Sequence, residues 1–507
     1  MGISSCVELK TLDFPRGMGI ILPIFSLPSK YGIGTFGEEA YRFCDFLSLA
    51  KVKYWQLLPM GPISYGDSPY QSFSSAAGNP YFIDLDMLCK EGLLEKEEIE
   101  SVTYGDEPEY INYSLIYNQR YKLLYRAFER AISDNSKVMD DLEAFRKENS
   151  EWLDDYAMFQ ALKSENLDAE WVNWPKAYRD RDEKALADFK EKHGKEIYFH
   201  IFIQYHFFKQ WKALRKYAKD KGISFIGDIP IYVAHDSADV WANRRIFKLD
   251  ESGRSLFVAG APPDAFTEDG QLWGNPVYDW EKMEKDGYAF WQKRLEANFR
   301  LYDILRLDHF IGFANYWSVD AGEKTAKNGS WQPGPSFKLF KTMEDKLGPL
   351  PVIIEDLGVI TDKVIELREK TGFYSMKPMQ FAFDPGMNSD YLPHKLDRRT
   401  CVYTGTHDSD TLRTWWSNLD TEVRLLVKKY LALNGEEGIR WGLIRGAASG
   451  VSDICIFQMQ DILWTGEETR MNIPGTVGGN WKWRLDKDYF DPEIIKKLSS
   501  LAKLYGR

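Results

Sequence analysis

The sequence of 507 residues is poor in the features that mark secreted, metal-binding or membrane-spanning proteins. It contains five scattered cysteines, with no CxxC pair and no histidine at the spacing of a metal site. This pattern argues against a disulfide framework and a zinc site, so we expect a reducing, cytoplasmic location. The apolar run 18–27 is too short to cross a bilayer, and no signal-peptide cleavage site follows it. We interpret it as a buried strand.

Positive charge is also scarce, since Lys and Arg number 65 against 76 Asp and Glu, and the formal net charge is −11. A nucleic-acid-binding protein needs a basic domain or stripe, so this balance argues against such a partner. Aromatic residues, by contrast, make up 15% of the chain. This surplus of Trp and Tyr indicates a ligand with flat apolar faces and polar rims.

Eight short apolar runs recur along the chain, most of them separated by stretches with a helical pattern. The runs cover residues 18–24, 54–58, 224–231, 303–309, 352–357, 377–381, 401–407 and 454–462. Runs that are apolar on both faces are typical of parallel strands. Eight such strands with intervening helices predict an α/β fold, a (β/α)8 TIM barrel, whose chemistry lies at the carboxyl ends of the strands. A doubly wound parallel sheet is the alternative.

The unequal connections between these runs predict the domain organisation. Residues 1–86 hold barrel strands 1 and 2 and an active-site loop, and residues 87–221 form a mostly helical inserted subdomain. Residues 222–507 hold strands 3 to 8. Within them, the glycine-rich connection at about 234–300 is expected to form a lid loop, because long loops in compact folds are usually functional. The apolar stripe at 198–218 is typical of a helix that packs on a core.

One motif points to a different function and is set aside. Gly32, Gly34 and Gly37 match the GxGxxG fingerprint of dinucleotide-binding folds and precede a predicted helix at 38–49. The fingerprint needs a tight strand-to-helix turn and an acidic residue ~20 positions further on. Here the turn is too long, and the next strand leads into Pro59 without an acid. We interpret the motif as a glycine turn at a helix start and expect no nicotinamide or flavin.

Three predicted strands end in charged residues within apolar surroundings. These residues are Arg306, Asp308 and His309 after strand four, Glu355 after strand five, and His407 and Asp408 after strand seven. Side chains alternate along a strand, so Arg306 and Asp308 share one face. One such end alone is as often a structural ion pair as a functional group. Three ends at the same rim of a barrel favour a single converging site.

Paired carboxyl groups suit the chemistry of glycosidic bonds, which needs an ionised nucleophile and a protonated acid that later acts as base. Arg306 is expected to keep the neighbouring Asp308 ionised. Glu355 follows two isoleucines, and burial there is expected to raise its pKa, as a general acid requires. A third carboxylate can stabilise a positively charged transition state.

Aromatic and polar residues dominate the remaining loops at these strand ends. The loops cover residues 65–71, 236–241, 264–266, 273–276, 472–476 and 480–484. A sugar ring has an apolar face and equatorial hydroxyls, which aromatic and polar side chains bind together. A single Trp or Tyr is as often part of a core, but the Asp, Asn and Pro-Gly neighbours favour exposed loops.

The order of these motifs resembles that of the amylomaltases, the 4-alpha-glucanotransferases or disproportionating enzymes of the α-amylase clan. The motifs are 26–34, 68–71, 227–232, 236–241, 260–264, 270–276, 306–310, 355–358, 404–408 and 470–472. The resemblance covers nearly the whole chain and implies a barrel fold without a metal or organic cofactor. It also implies that Asp308 is the nucleophile, Glu355 the acid/base and Asp408 the transition-state stabiliser.

The resemblance further implies a set of sugar contacts. They are Tyr70, Asp236, Arg306, His309 and His407 next to the cleaved bond, Trp273 over the acceptor side, and Asp384 and Asn472 further along.

We therefore expect a cytoplasmic, cofactor-independent, retaining α-1,4-glucan transferase that moves glucosyl or maltooligosyl units. Its partners are expected to be malto-oligosaccharides or other α-1,4-glucans, with no nucleic acid and no membrane, and the chain to be a monomer or homodimer. Two alternatives stay open: an α-amylase-type hydrolase with the same three carboxylates, and a catalytically silent glucan-binding protein. A silent binder has no need of three converging carboxylates.

Overall fold

The computed structural model describes residues 7–64, 66–105, 107–134, 136–263, 267–476 and 478–507. Its strands are β1 (Gly17–Ile21), β2 (Tyr54–Gln56), β3 (Ser224–Ile229), β4 (Phe257–Ala261), β5 (Gln271–Pro276), β6 (Ile304–Leu307), β7 (Asn315–Asp320), β8 (Ser330–Pro333), β9 (Val352–Ile354), β10 (Tyr374–Pro378), β11 (Thr400–Tyr403) and β12 (Ile454–Gln458).

Its helices are α1 (Glu38–Leu49), α2 (Leu85–Lys90), α3 (Lys96–Glu100), α4 (Tyr113–Asp134), α5 (Ser136–Glu148), α6 (Ser150–Glu165), α7 (Lys176–Arg179), α8 (Glu183–Lys192), α9 (Gly194–Asp220), α10 (Ala238–Ala242), α11 (Trp280–Lys285), α12 (Ala289–Leu301), α13 (Ile311–Ala314), α14 (Ser336–Leu347), α15 (Asp362–Thr371), α16 (Leu412–Asn418), α17 (Thr421–Tyr430), α18 (Gly438–Ala448), α19 (Met459–Leu463) and α20 (Pro492–Tyr505).

Eight parallel strands close into a barrel in the order β1-β12-β11-β10-β9-β6-β3-β2. The barrel closes where Gly17 of β1 pairs with Ile454 of β12. These strands are almost entirely buried, as expected where helices cover the outside of a barrel and side chains fill the inside. The (β/α)8 TIM barrel predicted from the sequence is confirmed.

The predicted apolar runs coincide with the barrel strands in seven of eight cases. The exception is the run 377–381, because the strand is Tyr374–Pro378 and the next three residues form a 3-10 helix, Met379–Phe381. Proline has no amide hydrogen to donate to a neighbouring strand, so Pro378 ends the pairing. The other runs extend past their strands, and these extensions become loops at the carboxyl rim.

The helices α2 to α9 lie between β2 and β3, and α9 is the longest of them with 27 residues. Two buried glutamines of α9 hydrogen-bond to the segment that follows β2. Gln204 accepts from the amide of Gly78 at 2.7 Å and donates to its carbonyl at 2.8 Å, and Gln210 pairs with Asp84 in the same way. Each amide side chain thus satisfies both backbone groups of one buried residue, which would otherwise be costly.

The connection expected to be a lid loop holds regular structure that the sequence analysis missed. The strands β4 and β5 lie in it and pair with β7 and β8, which follow β6, in a four-stranded antiparallel sheet of order β5-β4-β7-β8. We call this the small sheet. Its first two strands contain glycine and proline, which are depleted in strands, so their pattern does not predict one.

The glycine motif opens α1, as predicted. A Cβ on Gly34 would lie 1.9 Å from the carbonyl oxygen of Ile24, and one on Gly37 would lie 2.0 Å from a carboxylate oxygen of Asp84. These glycines are therefore required by close packing within the chain. Among the described residues, none of the helices combines the length and the apolar content needed to span a bilayer.

Candidate active site

The three carboxyl groups singled out in the sequence lie at the carboxyl rim of the barrel. Asp308 follows β6 directly, Glu355 follows β9 directly, and Asp408 lies five residues beyond the end of β11. The amide of Glu355 donates to the carbonyl of Leu307 at 3.0 Å, so the ends of β6 and β9 are held side by side. The fold therefore brings residues far apart in the chain to one place.

Arg306 on β6 lies at the centre of this group, with its side chain 1% exposed. Its Nη1 donates to Asp308 Oδ1 at 3.1 Å, and its Nη2 lies 3.1 Å from Glu355 Oε2. Nη1 also contacts both carboxylate oxygens of Asp228, at 2.6 and 2.7 Å. One buried guanidinium therefore faces three carboxyl groups.

Asp228 on β3 is a site residue that the sequence analysis missed. It lies directly opposite Arg306 in the barrel register, and its side chain is fully buried. The same signal that drew attention to Asp308, an acid near the end of an apolar strand, is present at Asp228 in the run 224–231. Asp236, in the connection that follows this strand, was predicted as a sugar contact instead.

Glu355 is held by a backbone group as well as by Arg306. The amide of His309 donates to Glu355 Oε2 at 2.7 Å. His309 has a φ of 49°, in the left-handed region that residues with a side chain rarely adopt. The carboxyl groups of Asp308 and Glu355 also hydrogen-bond to each other.

The pKa values of this pair move in opposite directions. Burial and the charge of Glu355 raise the pKa of Asp308 well above its usual range. Burial also acts against ionisation of Glu355, but Arg306 and the His309 amide outweigh it and lower the Glu355 pKa. In this arrangement Glu355 therefore ionises more readily than Asp308.

The expected pKa directions, with Asp308 kept ionised and the pKa of Glu355 raised, are the reverse of those found in this arrangement. Arg306 approaches Asp228 more closely than Asp308, at 2.6 against 3.1 Å, so its stabilisation of Asp308 is diluted. Glu355, by contrast, receives a separate guanidinium nitrogen and a backbone amide on the same oxygen. These distances could not be read from the sequence.

Asp408 is the carboxyl group that remains ionised. Burial opposes its charge, but His407 and Asn472 lower its pKa to about 2. His407 Nε2 lies 3.3 Å from Asp408 Oδ2, and Asn472 Nδ2 donates to Oδ1 at 2.6 Å. The site thus contains one firmly ionised carboxylate beside a pair that shares a proton.

Aromatic residues enclose this cluster on two sides. The Tyr70 hydroxyl donates to Asp228 Oδ2 at 2.7 Å and lies 2.9 Å from His407 Nε2. Trp481, which the sequence analysis placed only within an aromatic loop, packs 5.7 Å from the Tyr70 ring. On the other side, the ring of Trp273 on β5 stands perpendicular to His309 at 4.7 Å. The small sheet therefore reaches the residue next to Asp308.

Six of the eight predicted sugar contacts are thus gathered around the carboxyl groups. The other two, Asp236 and Asp384, are not bonded to those groups within the described residues. Asp236 accepts from Lys163 Nζ at 2.6 Å and from the Trp171 amide at 3.1 Å, which connects the segment after β3 to the helices before it. Within the described residues, neither Asp236 nor Asp384 makes a hydrogen bond or ion pair with Asp308, Glu355 or Asp408. Their contact with sugar stays a prediction.

Part of the predicted aromatic loops falls outside the described residues, namely 264–266 and residue 65. Over the part of the chain that the structure does describe, no three His, Cys, Asp or Glu side chains are grouped as metal ligands. Arg306 offsets part of the charge on the carboxyl cluster.

Comparison with known proteins gives a consistent result. The profile of the family described as 4-alpha-glucanotransferase matches residues 22–488. The 4-alpha-glucanotransferase of Clostridium butyricum is 48% identical over 96% of this chain and 99% of its own length. That of Thermus thermophilus is 43% identical over 98% of this chain and 100% of its own.

A solved structure of amylomaltase from Streptococcus agalactiae, in complex with acarbose, is 40% identical to this chain. It superposes with a TM-score of 0.95 and covers 97% of this chain and 99% of that one. The amylomaltase of Corynebacterium glutamicum, at 19% identity and a TM-score of 0.77, shares the fold.

Proposed function

This chain belongs to the 4-alpha-glucanotransferase family and is an enzyme with that activity, and from this premise we propose that it works by double displacement with retention of configuration. In this proposal Asp308 is the nucleophile, Glu355 the acid/base and Asp408 the stabiliser of the transition state. The observation that carries the proposal is the hydrogen-bonded pair of Asp308 and Glu355, with Arg306 in contact with both.

The contact of both carboxyl groups with Arg306 supports retention over inversion. An inverting pair needs ~6.5–9.5 Å to admit a water molecule, whereas a retaining pair lies ~5–5.5 Å apart. Here both groups contact the same guanidinium, Asp308 Oδ1 at 3.1 Å from Arg306 Nη1 and Glu355 Oε2 at 3.1 Å from Nη2, which places them side by side as a retaining pair requires. A sugar bound across the pair would place its anomeric carbon at Asp308 and its glycosidic oxygen at Glu355.

The first step cleaves the donor. The shared proton passes from Asp308 to Glu355, because positive charge developing at the anomeric carbon favours an ionised Asp308. Glu355 then protonates the glycosidic oxygen, the bond to the leaving sugar breaks, and Asp308 forms a β-linked ester with the donor. Asp408, whose pKa is about 2, stays ionised throughout and stabilises the oxocarbenium-like transition state.

The second step reverses these roles. The 4-hydroxyl of an acceptor sugar gives its proton to Glu355 and attacks the anomeric carbon, and the ester bond to Asp308 breaks. Two inversions at one carbon give net retention of the α configuration. The proton returns to the pair, so no other reactant is consumed.

The substrates in this proposal are malto-oligosaccharides or other α-1,4-glucans. The relative from Streptococcus agalactiae was solved with acarbose, which supports an extended sugar-binding site here. The residues proposed to hold the donor sugar are Tyr70, Asp236, Arg306, His309 and His407.

The other predicted contacts complete the binding site in this proposal, with Trp273 on the acceptor side and Asp384 and Asn472 further along. We propose a cytoplasmic location and a monomer or homodimer. The cytoplasmic location is supported by free thiols at Cys44, Cys89, Cys401 and Cys455.

Incubation with maltotriose as the sole substrate tests the proposal. We expect glucose to appear together with longer maltodextrins while the total number of reducing ends stays nearly constant, because transfer conserves glycosidic bonds. Initial products followed by NMR should have the α configuration. Reducing ends that rise in step with glucose would support the hydrolase alternative, and β-configured initial products would overturn double displacement.

A further inference from the structure

Asp408 lies in a loop of residues 404–411, which we call the Asp408 loop, between the end of β11 and the start of α16. The loop begins at Thr404, whose amide donates to Ile456 of β12 at 3.1 Å, and ends before Leu412, the first residue of α16. Asp408 and His407 both project from this segment. The position of the ionised carboxylate therefore depends on what holds the two ends of the loop.

A single buried carboxyl group contacts both ends. Asp461 lies in α19, immediately beyond β12, and is fully buried. Its Oδ2 accepts from the Thr404 hydroxyl at 2.6 Å, and its Oδ1 accepts from the Leu412 amide at 2.7 Å. The two oxygens thus bind Thr404, the first residue of the loop, and Leu412, the residue that follows the last residue of the loop.

We infer that Asp461 is a positioning residue for the reaction, which fixes both ends of the Asp408 loop and thereby the place of Asp408. The inference rests on the proposed role of Asp408 in the transition state.

The choice of aspartate at this position supports the inference. Burial raises the pKa of Asp461 to about 7, so the protein keeps a carboxyl group where its charge is disfavoured. A carboxylate is the one side chain of this size that offers two acceptor oxygens, whereas asparagine offers one. Two donors on two separate elements need two acceptors.

The middle of the loop has its own supports. The carbonyl of Asp410 accepts from Gln380 at 2.8 Å and from Gln458 at 3.3 Å. Arg470 donates to the carbonyl of Asp408 at 3.0 Å. Loss of Asp461 should therefore displace the loop without releasing it, and the effect on catalysis should be partial.

The experiment is a double-mutant cycle on the Asp461–Thr404 contact, with maltotriose disproportionation as the assay. Asp461→Asn keeps an acceptor for Leu412 but turns an amide NH2 toward Thr404, so that the Thr404 hydroxyl loses its acceptor, and Thr404→Val removes hydrogen bonding at this contact altogether. Each should lower kcat about 10-fold with little change in KM, because a small displacement of a group that acts in the transition state affects kcat. The double variant should lose no more than either single variant, since both break one contact.

The matched control is Asp453→Asn. Asp453 is a buried carboxyl group just before β12, at the opposite end of the same strand, where it binds the Tyr374 hydroxyl at 3.1 Å and Arg398 at 3.3 Å. This variant should lower the unfolding temperature and leave kcat unchanged. An equal loss of kcat in Asp453→Asn would show that general destabilisation, and not positioning, explains the data.

Wild-type kcat in Thr404→Val and Asp461→Asn, both folded, would overturn the inference. If Asp461→Asn does not fold, Thr404→Val, which leaves Asp461 in place, decides alone. Asp408→Asn is measured in parallel. Full activity in Asp408→Asn would overturn the proposed role of Asp408, whereas an inactive Asp408→Asn with normal Thr404→Val would overturn only the role of Asp461.

Discussion

Arg306 faces more carboxyl groups than one guanidinium can neutralise. Asp228, Asp308 and Glu355 all lie within 3.1 Å of its nitrogens, and the Arg306 side chain is 1% exposed, so little solvent screens the group. Because charge is costly to bury without a partner, the Asp308–Glu355 pair retains a proton. The acid step of a glycosyl transfer requires such a proton. The excess of negative charge around Arg306 therefore favours the protonated pair that this step needs.

The three carboxyl groups are expected to act as one unit, which gives the first prediction. Asp308→Asn, Glu355→Gln and Asp408→Asn should each lower kcat by at least ~10³-fold, and combined variants should lose little more, because the first loss removes most of what the others contribute. Steady-state kinetics on maltotriose with folded protein checks this. Asp303→Asn, at the other end of β6 and paired with Arg215 at 2.7 Å, is the control and should keep its kcat. A folded variant of any of the three that retains a tenth of the activity would contradict the role assigned to that residue.

Residue types and positions could be predicted at this site, and charge states could not. The strand-end pattern pointed to Asp308, Glu355 and Asp408, and the same pattern at Asp228 was available but unused. The proton on the pair depends on distances of a few tenths of an ångström around Arg306. The pairing of Asp236 with Lys163, 73 residues away, is likewise invisible to local spacing.

At the scale of elements, the small sheet is the part of the fold that bears on specificity. β4 and β5 come before the strand of the nucleophile, and β7 and β8 come after it, so the sheet is attached to the barrel on both sides of Asp308. Trp273 projects from β5 toward His309. In the proposed mechanism, the sheet would shield the sugar ester from water and support an incoming acceptor.

The second prediction concerns Trp273. Trp273→Ala should lower the ratio of transfer to hydrolysis by up to about 10-fold, because an aromatic contact is worth ~0.5–1.5 kcal/mol and its loss also admits water. The ratio is measured from longer maltodextrins against new reducing ends. Trp331→Ala is the control, since Trp331 lies in β8 of the same sheet, is 41% exposed and packs on Trp317. If both variants keep the wild-type ratio, Trp273 lies outside the acceptor site.

The sequence predicted barrel strands better than the strands of the small sheet for a physical reason. A barrel strand is buried on both faces and is apolar throughout, so it is visible in isolation. β4 is held by pairing with β7, as where Gly260 lies opposite Trp317, and β5 is held by pairing with β4. Their glycines and proline carry no strand signal, and only the fold shows their partners.

At the scale of the whole molecule, the helices between β2 and β3 contain two histidines whose protonated form is disfavoured by burial. His200 and His206 on α9 are buried, and burial lowers the pKa of each to about 3. His206 makes no hydrogen bond to any residue that the structure describes, and Glu91 lies 3.8 Å from its ring. The folded protein therefore holds both imidazoles neutral.

This gives the third prediction. The unfolded chain binds a proton at each histidine below its ordinary pKa of about 6.5, whereas the folded chain does so only near 3. Stability from this source is full above pH 6.5 and is lost as the pH falls toward 3, by up to ~1.4 kcal/mol per pH unit for each histidine. The double variant His200→Gln, His206→Gln should show a flatter dependence of Tm on pH between 7 and 5. Parallel curves for variant and wild type would contradict this.

The closure of the barrel sets the order in which the chain can complete its fold. β1 pairs with β2 on one side, but its other side pairs with β12, and Gly17 meets Ile454, 437 positions later. While the ribosome is still extending the chain toward β12, the growing sheet keeps two open edges, each able to pair with another chain. The barrel therefore cannot close, and these two edges cannot be covered by each other, until β12 has been synthesised.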